Sequence, residues 1–185
     1  MSELGLTVRK AAMRDIAPML SLINSYAAKE VMLPRTEFDL SENIRDFSVV
    51  YQGEALLGCG ALHFYTPKSA EVRSLAVLPA STHQGIGRMV VEALEKEARS
   101  HDLNAIFAFT YVPQFFAKLG FAEVERGELP LKVWKDCLRC PKFQDCDEIA
   151  VLKRLTVTPA VFEAGSAPEL SELIQLPHVK KSAFH

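Results

Sequence analysis

The stretch HQGIGR, residues 83–88, carries the residues whose spacing most directly suggests chemistry: Gly85 and Gly87 flank Ile86, and Arg88 follows. Glycine leaves the backbone bare, so a ligand can approach main-chain amides closely. If a helix opens there, its first N–H groups and its dipole suit a phosphate or pyrophosphate, and Arg88 adds charge. The same spacing also serves a tight turn that holds no ligand; on the loop alone both readings stand. The segment is neither a Walker A loop, which needs Gly-Lys-Ser/Thr, nor a full GxGxxG fingerprint. A second cluster is Cys137, Cys140 and Cys146. A CxxC pair is half of a zinc knuckle, but a structural site takes four ligands, and Cys59 is distant. Reduced structural thiols are expected here, with no metal.

The elements that must carry these groups follow from apolar spacing. LTVRKA reads as a short strand, and Asp15 as the N-cap of a helix with Ile16, Met19, Leu20, Ile23, Tyr26 and Ala27 on one stripe. Thr36 and Asp39 have the spacing of a capping box for a second helix through about Arg45. FSVVYQGEALLGCGALHFY reads as two strands joined at Gln52–Glu54, and AEVRSLAVL as a third that ends at Pro79. The glycine loop then opens a long amphipathic helix. Its expected buried stripe is Met89, Val90, Ala93, Leu94 and Ala98, with Glu92/Lys96 and Glu95/Arg99 paired on the wet face. AIFAFT, a short helix ending at Gly120, FAEVE and EIAVLKRL complete the series.

The chain of 185 residues suits one domain, expected over residues 1–155, with a tail over 156–185 that is rich in Thr, Pro, Ala, Gly and Ser. That tail could be disordered, pack back on the domain or reach another subunit; separately, a homodimer is the assembly expected. Apolar residues make up 49% and charged residues 24%, an ordinary globular balance. A formal charge of −2 argues against a general nucleic-acid binder. No apolar run is long enough to cross a bilayer, and the opening MSELGLTVRK has no signal-peptide pattern. A cytoplasmic location is expected.

Strand, glycine loop, helix, a second strand and then FFAKLGF resemble the GNAT superfamily of N-acetyltransferases. Beyond the loop, MLPRT, ENIRDF, AEVRSLAV and ELPLKVWKDCLRCPKFQDCDEIA resemble the short, stand-alone form of bacterial N-acetylglutamate synthase, over roughly residues 6 to 153. The resemblance implies an α/β fold, a mixed central sheet with flanking helices. It also implies acetyl-CoA as co-substrate and a small amino acid, glutamate, as acceptor in arginine synthesis. Another small amine, a protein N-terminus, or CoA binding without turnover are the alternatives.

By the same resemblance Leu75, Ala76 and Val77 lie along pantetheine, while Gln84, Gly85, Ile86, Gly87 and Arg88 face the pyrophosphate. Glu71 matches the acidic residue of the synthases, and Arg35 an arginine near the substrate. A free α-amine is mostly protonated near neutral pH, so some group must take a proton before attack on a thioester. A carboxylate such as Glu71 can do this directly or through water, while a solvated charge at a strand entry is the other reading of Glu71. Glu71 and Arg73 alternate along one strand and should share a face. Arg35, Arg73, Arg139 and Lys142 are the cations available to a dicarboxylate. Phe116 stands where many superfamily members carry a tyrosine acid, which leaves Tyr111 and Thr110 as substitutes. Thr82 and His83 also depart from the family pattern, in the loop just before the glycines.

Overall fold

The computed structural model describes residues 5–129 and 146–155. Turn chemistry sets the strand order from the outset. Gly53, at φ 58°, folds β2 (Phe47–Gln52) back as β3 (Ala55–Thr66), and a turn at Pro67–Lys68 returns the chain as β4 (Ser69–Val77). With β1 (Leu6–Lys10), β5 (Ala105–Thr110), β6 (Ala122–Glu123) and β7 (Ile149–Arg154), they make a seven-stranded sheet in the order β1-β2-β3-β4-β5-β7-β6. Among the described strands only β4 and β5 run parallel, and the connection between them is α3 (Ile86–Ser100). The fold is α/β, a mixed sheet with helices on both faces, as expected for a GNAT protein.

Strand alternation splits the core in two. On one face α3 buries Ile86, Val90, Val91, Leu94 and Ala98 against Leu62, Ala70, Val72, Ile106 and Ala108. Gly58 and Gly60 let the helix come this close: a Cβ on either would lie 2.8 Å from Ile86 or Val90. The opposite face carries α1 (Ile16–Ala27) and α2 (Glu37–Glu42), which bury Met19, Ile23 and Leu40 against Phe47, Val49, Cys59, Ala61 and Ala76. The short α4 (Pro113–Ala117) places Phe116 in the α3 core and ends before Gly120, at φ 86°.

Local details differ from the expectations in instructive ways. Asp15 makes no cap hydrogen bond to α1. Its buried carboxylate instead takes two bonds from Arg9 (2.6 and 2.8 Å), one from the Ala12 amide and one from the Tyr51 hydroxyl. The N-cap of α2 is as expected, with Thr36 and Asp39 in a capping box, but α2 stops at Glu42 and a 3-10 turn, Ile44–Asp46, follows. On α3, Val90, Leu94 and Ala98 are buried as expected, but Ile86 and Val91 join them while Met89 and Ala93 are only half-buried. Glu92 pairs with Arg88 at 3.5 Å, while Glu95 binds both Arg99 and Lys153. No described helix is long and apolar enough to cross a membrane. The expected tail, 156–185, lies outside the described residues.

Candidate active site

The two parallel strands part company early. β4 pairs with β5 only from Ser69/Ala105 to Glu71/Phe107, whereas β5 continues beside β7 as far as Thr110. Beyond Glu71, one edge of β4 therefore has no β5 partner and opens a slot in the sheet. The expected pantetheine residues, Leu75, Ala76 and Val77, lie along this open stretch.

A bulge shapes it further. Cys59 faces Ala76 while Ala61 faces Arg73, so β4 spends three steps where β3 spends two. The extra residue falls around Ser74, which adopts φ 51°, a left-handed conformation that is uncommon for a residue with a side chain. The insertion turns Leu75 and Val77 toward α3 and Ala76 toward α1. In this part of the ladder the Leu78 amide donates to Leu57 of β3 at 2.7 Å. By alternation the main-chain groups of Val77 point to the open edge, where the Tyr26 hydroxyl donates to the Val77 carbonyl at 2.6 Å. Ala76 faces Cys59, whose thiol is pushed up to about 12 by burial, with the Ala76 amide acting against the shift. That thiol is inert at neutral pH.

At the end of the slot a 3-10 turn, Pro79–Ser81, leads into the glycine loop. Thr82 donates to the Pro79 carbonyl and Gln84 to that of Ala80. Gly85 is the N-cap of α3, at φ 82°, and no described side chain caps the helix. The amides of Ile86, Gly87 and Arg88 belong to the first turn, which has no intrahelical acceptor. A Cβ on Gly85 would meet nothing within 4 Å, so the approach is open. A long thioester with a pyrophosphate fits this combination of open strand edge and uncapped helix end. His83 is itself left-handed, at φ 64°, where a glycine would be at ease.

The α1/α2 face of the slot holds the polar groups. Glu71 and Arg73 are half-buried there, opposite His63 and Ala61 of β3. The Tyr65 hydroxyl donates to Glu71 Oε2 at 3.0 Å. Arg35 comes from the connection between α1 and α2. Its backbone is held by Asn24, and its Nε donates to Ser74 Oγ at 3.3 Å, which ties this connection to the bulge. Tyr111 follows β5, its pKa raised by burial and by a hydrogen bond to Asp147. Thr110 is buried on the α3 side by alternation, and its Oγ1 accepts the Val112 amide at 3.0 Å. Arg88 is exposed beside Glu92.

Arg139, Lys142, Cys137 and Cys140 lie outside the described residues. Cys146 is described, with its sulfur 3.9 Å from Glu148 Oε2. Among the described residues no three His, Cys, Asp or Glu side chains cluster as metal ligands. Sequence reasoning missed Tyr26, Asn24, Ser74 and Tyr65. Tyr65 alone had a usable signal, since a turn at Pro67–Lys68 folds it back toward Glu71.

The model of the acetyltransferase (GNAT) family matches residues 14–121. An uncharacterised N-acetyltransferase of Chlorobaculum tepidum is 42% identical over 80% of this chain and 96% of its own length. An amino-acid acetyltransferase of Mycobacterium tuberculosis is 33% identical over 71% of this chain and 77% of its own. Among solved structures, Rv2747 of Mycobacterium tuberculosis in complex with CoA superposes with a TM-score of 0.69 at 30% identity, covering 81% of this chain and 99% of that one. N-acetylglutamate synthase of Neisseria gonorrhoeae, complexed with coenzyme A and N-acetyl-glutamate, gives 0.76 at 25% identity, over 84% of this chain but 36% of that one. The chain belongs to the GNAT family and is an acetyl-CoA-dependent N-acetyltransferase.

Proposed function

We propose that the chain acetylates the α-amino group of L-glutamate, acting as an N-acetylglutamate synthase in arginine synthesis. The observation that carries this reading is the meeting of opposite charges on one face of the slot. Glu71 and Arg73 share that face, and Arg35 reaches the β4 bulge from the α1–α2 connection. A carboxylate followed along the strand by guanidinium groups suits an amine that carries acidic groups, because each guanidinium can grip a carboxylate through two N–H donors. The names of the relatives point the same way: amino-acid acetyltransferase for one, N-acetylglutamate synthase for the other.

Acetyl-CoA supplies the thioester carbonyl on which the amine acts, and the remaining tasks fall to the chain. In this reading Arg35 and Arg73 hold the acceptor's carboxylates, and Glu71 takes the ammonium proton, directly or through water. The open-edge amides of the Leu75–Val77 stretch are aimed where negative charge grows on the carbonyl oxygen. Tyr111 keeps its proton through the neutral range, since burial and the Asp147 carboxylate both raise its pKa. It is a reluctant donor to a departing thiolate. Thr110, turned to the other face, is further from that role.

A free-CoA release assay with acetyl-CoA against all amino acids and several polyamines tests the acceptor. The expected result is a kcat/KM for glutamate well above that for every other acceptor. Preference for an uncharged amino acid or a polyamine would refute it.

A further inference from the structure

Glu71 is held by a neighbour that the acetyl-transfer reading does not require. Tyr65 lies on β3, where the register sets His63 opposite Glu71 and shifts between Phe64 and Thr66; its contacts with both residues put the three side chains on one face. The Tyr65 hydroxyl donates to Glu71 Oε2 at 3.0 Å. Its ring is braced from two sides. The His63 ring meets it edge-on at 5.0 Å and 84°, and the Phe107 ring lies tilted at 5.8 Å and 39°. His63 is in turn fixed through Nδ1 to Asp46 Oδ2 at 2.8 Å, just before β2 begins.

We infer that Tyr65, braced by His63 and Phe107 and anchored through His63 to Asp46, is a positioning residue that aims the Glu71 carboxylate at the acceptor amine. The inference rests on the reading of Glu71 as the base. A phenol donor to one carboxylate oxygen restricts rotation about the last side-chain bond, so the carboxylate meets the amine in one orientation. It also favours the charged carboxylate and so makes it a weaker base than an unsupported one. Rotational freedom is traded against basicity, and the Tyr65 hydroxyl acts on both. Among the described residues, titratable or charged groups on this face include His63 and Asp46 from the β2/β3 side, Arg73 on β4, Arg35 from the α1–α2 connection, and Tyr111 past β5 with its partner Asp147. All of them are retained when only the Tyr65 hydroxyl is removed.

The test measures kcat and both KM values against pH for the wild type, Tyr65→Phe, Glu71→Gln and the double variant. Phenylalanine keeps the ring between His63 and Phe107, so packing is preserved. Losing the hydroxyl should lower kcat about tenfold while the KM for acetyl-CoA stays put, the scale of a misaimed catalytic group. The acid limb of kcat/KM should move up by about one pH unit, since the carboxylate loses a donor that stabilises its charge. In the Glu71→Gln background the same change should add nothing, because Tyr65 would act only through the carboxylate. His63→Ala, which loosens the brace, should lower kcat a few-fold in the wild-type background alone. A wild-type rate and acid limb in Tyr65→Phe overturns the positioning role, as does an equal loss in both backgrounds. If Glu71→Gln itself keeps full activity, the base reading fails and this inference falls with it.

Discussion

One side chain, that of Asn24, bonds the Arg35 backbone twice: its Nδ2 donates to the Arg35 carbonyl and its Oδ1 accepts the Arg35 amide, each at 2.9 Å. A residue in a connection between two helices is thereby held to the body of α1. Its guanidinium can then reach Ser74 at the β4 bulge without the whole connection having to order on binding.

Arg35→Ala should therefore raise the KM for glutamate by about tenfold or more with little change in that for acetyl-CoA, as loss of a charge-assisted bond costs about 1.5–3 kcal/mol. Asn24→Ala should reproduce the direction at smaller size, because the guanidinium is present but no longer placed. Steady-state kinetics with each substrate varied would check both. Equal rises in the two KM values would assign Arg35 to folding rather than to acceptor binding.

The two glycines of the loop should respond differently. Gly85, at φ 82° with no neighbour near a new Cβ, has room for a side chain but not the backbone freedom for one. Gly85→Ala should cost about 1–2 kcal/mol of stability through left-handed strain. At Gly87 the obstacle is the ring of Phe115, which would lie 3.2 Å from an added Cβ, with Val77 at 3.5 Å. Gly87→Val should displace that ring and crowd the helix end, weakening CoA binding about tenfold. Thermal unfolding and CoA titration separate the outcomes. Unchanged CoA affinity in a folded Gly87→Val protein would refute the assignment of the loop to the pyrophosphate.

Asp15 predicts how the fold responds to acid. Hydrogen bonds from Arg9, opposed by burial and aided by the Ala12 amide and Tyr51, hold its pKa at about 2, below the ordinary 3.8. A depressed carboxylate stabilises the fold fully above its unfolded pKa, and that contribution is lost as pH falls through the folded one. The difference corresponds to about 2 kcal/mol. Asp15→Asn should lower stability by about that much near neutral pH, and the gap to wild type should close between about pH 4 and pH 2. Urea denaturation across that range checks it; a gap that persists undiminished to the lowest pH would assign the loss to packing.

Period-two and helical spacing exposed the strands and the long helix in the sequence, because burying one face of each imposes that spacing. The capping box at Thr36 and Asp39 was legible for the same reason, being a bond between residues three apart. What stayed hidden depended on contacts between distant segments. Asp15 has the sequence position of a cap, but Arg9 and Tyr51 compete for its oxygens and win. Met89 and Ala93 fit an ideal helical stripe, yet contact with the twisted sheet rotates the buried face toward Val91. The β4 bulge had no signal in composition, since Ser74 is not a residue that advertises a left-handed turn. Glu71 and Arg73 share a face because both precede that bulge. Had it fallen between them, alternation would have put them on opposite sides.

The role of Glu71 is the prediction on which the chemistry turns. Glu71→Gln keeps the size of the side chain and can still engage Tyr65, but it removes the basic oxygen. If the carboxylate takes the amine proton, the variant should bind acetyl-CoA normally and lose about a hundredfold in kcat, the usual scale for a general base. The deficit should shrink as pH rises toward about 9.5, where more of the α-amine arrives already deprotonated and needs no base. A carboxylate that only steadies the ammonium would show its loss mainly in the KM for glutamate. Measuring kcat and KM from about pH 7 to about pH 9.5 distinguishes the two, because that range covers the amine's own titration. A variant with full kcat and an unchanged pH profile would remove Glu71 as the base. The search would then pass to the pair formed by Tyr111 and Asp147, hydrogen-bonded just past the end of β5.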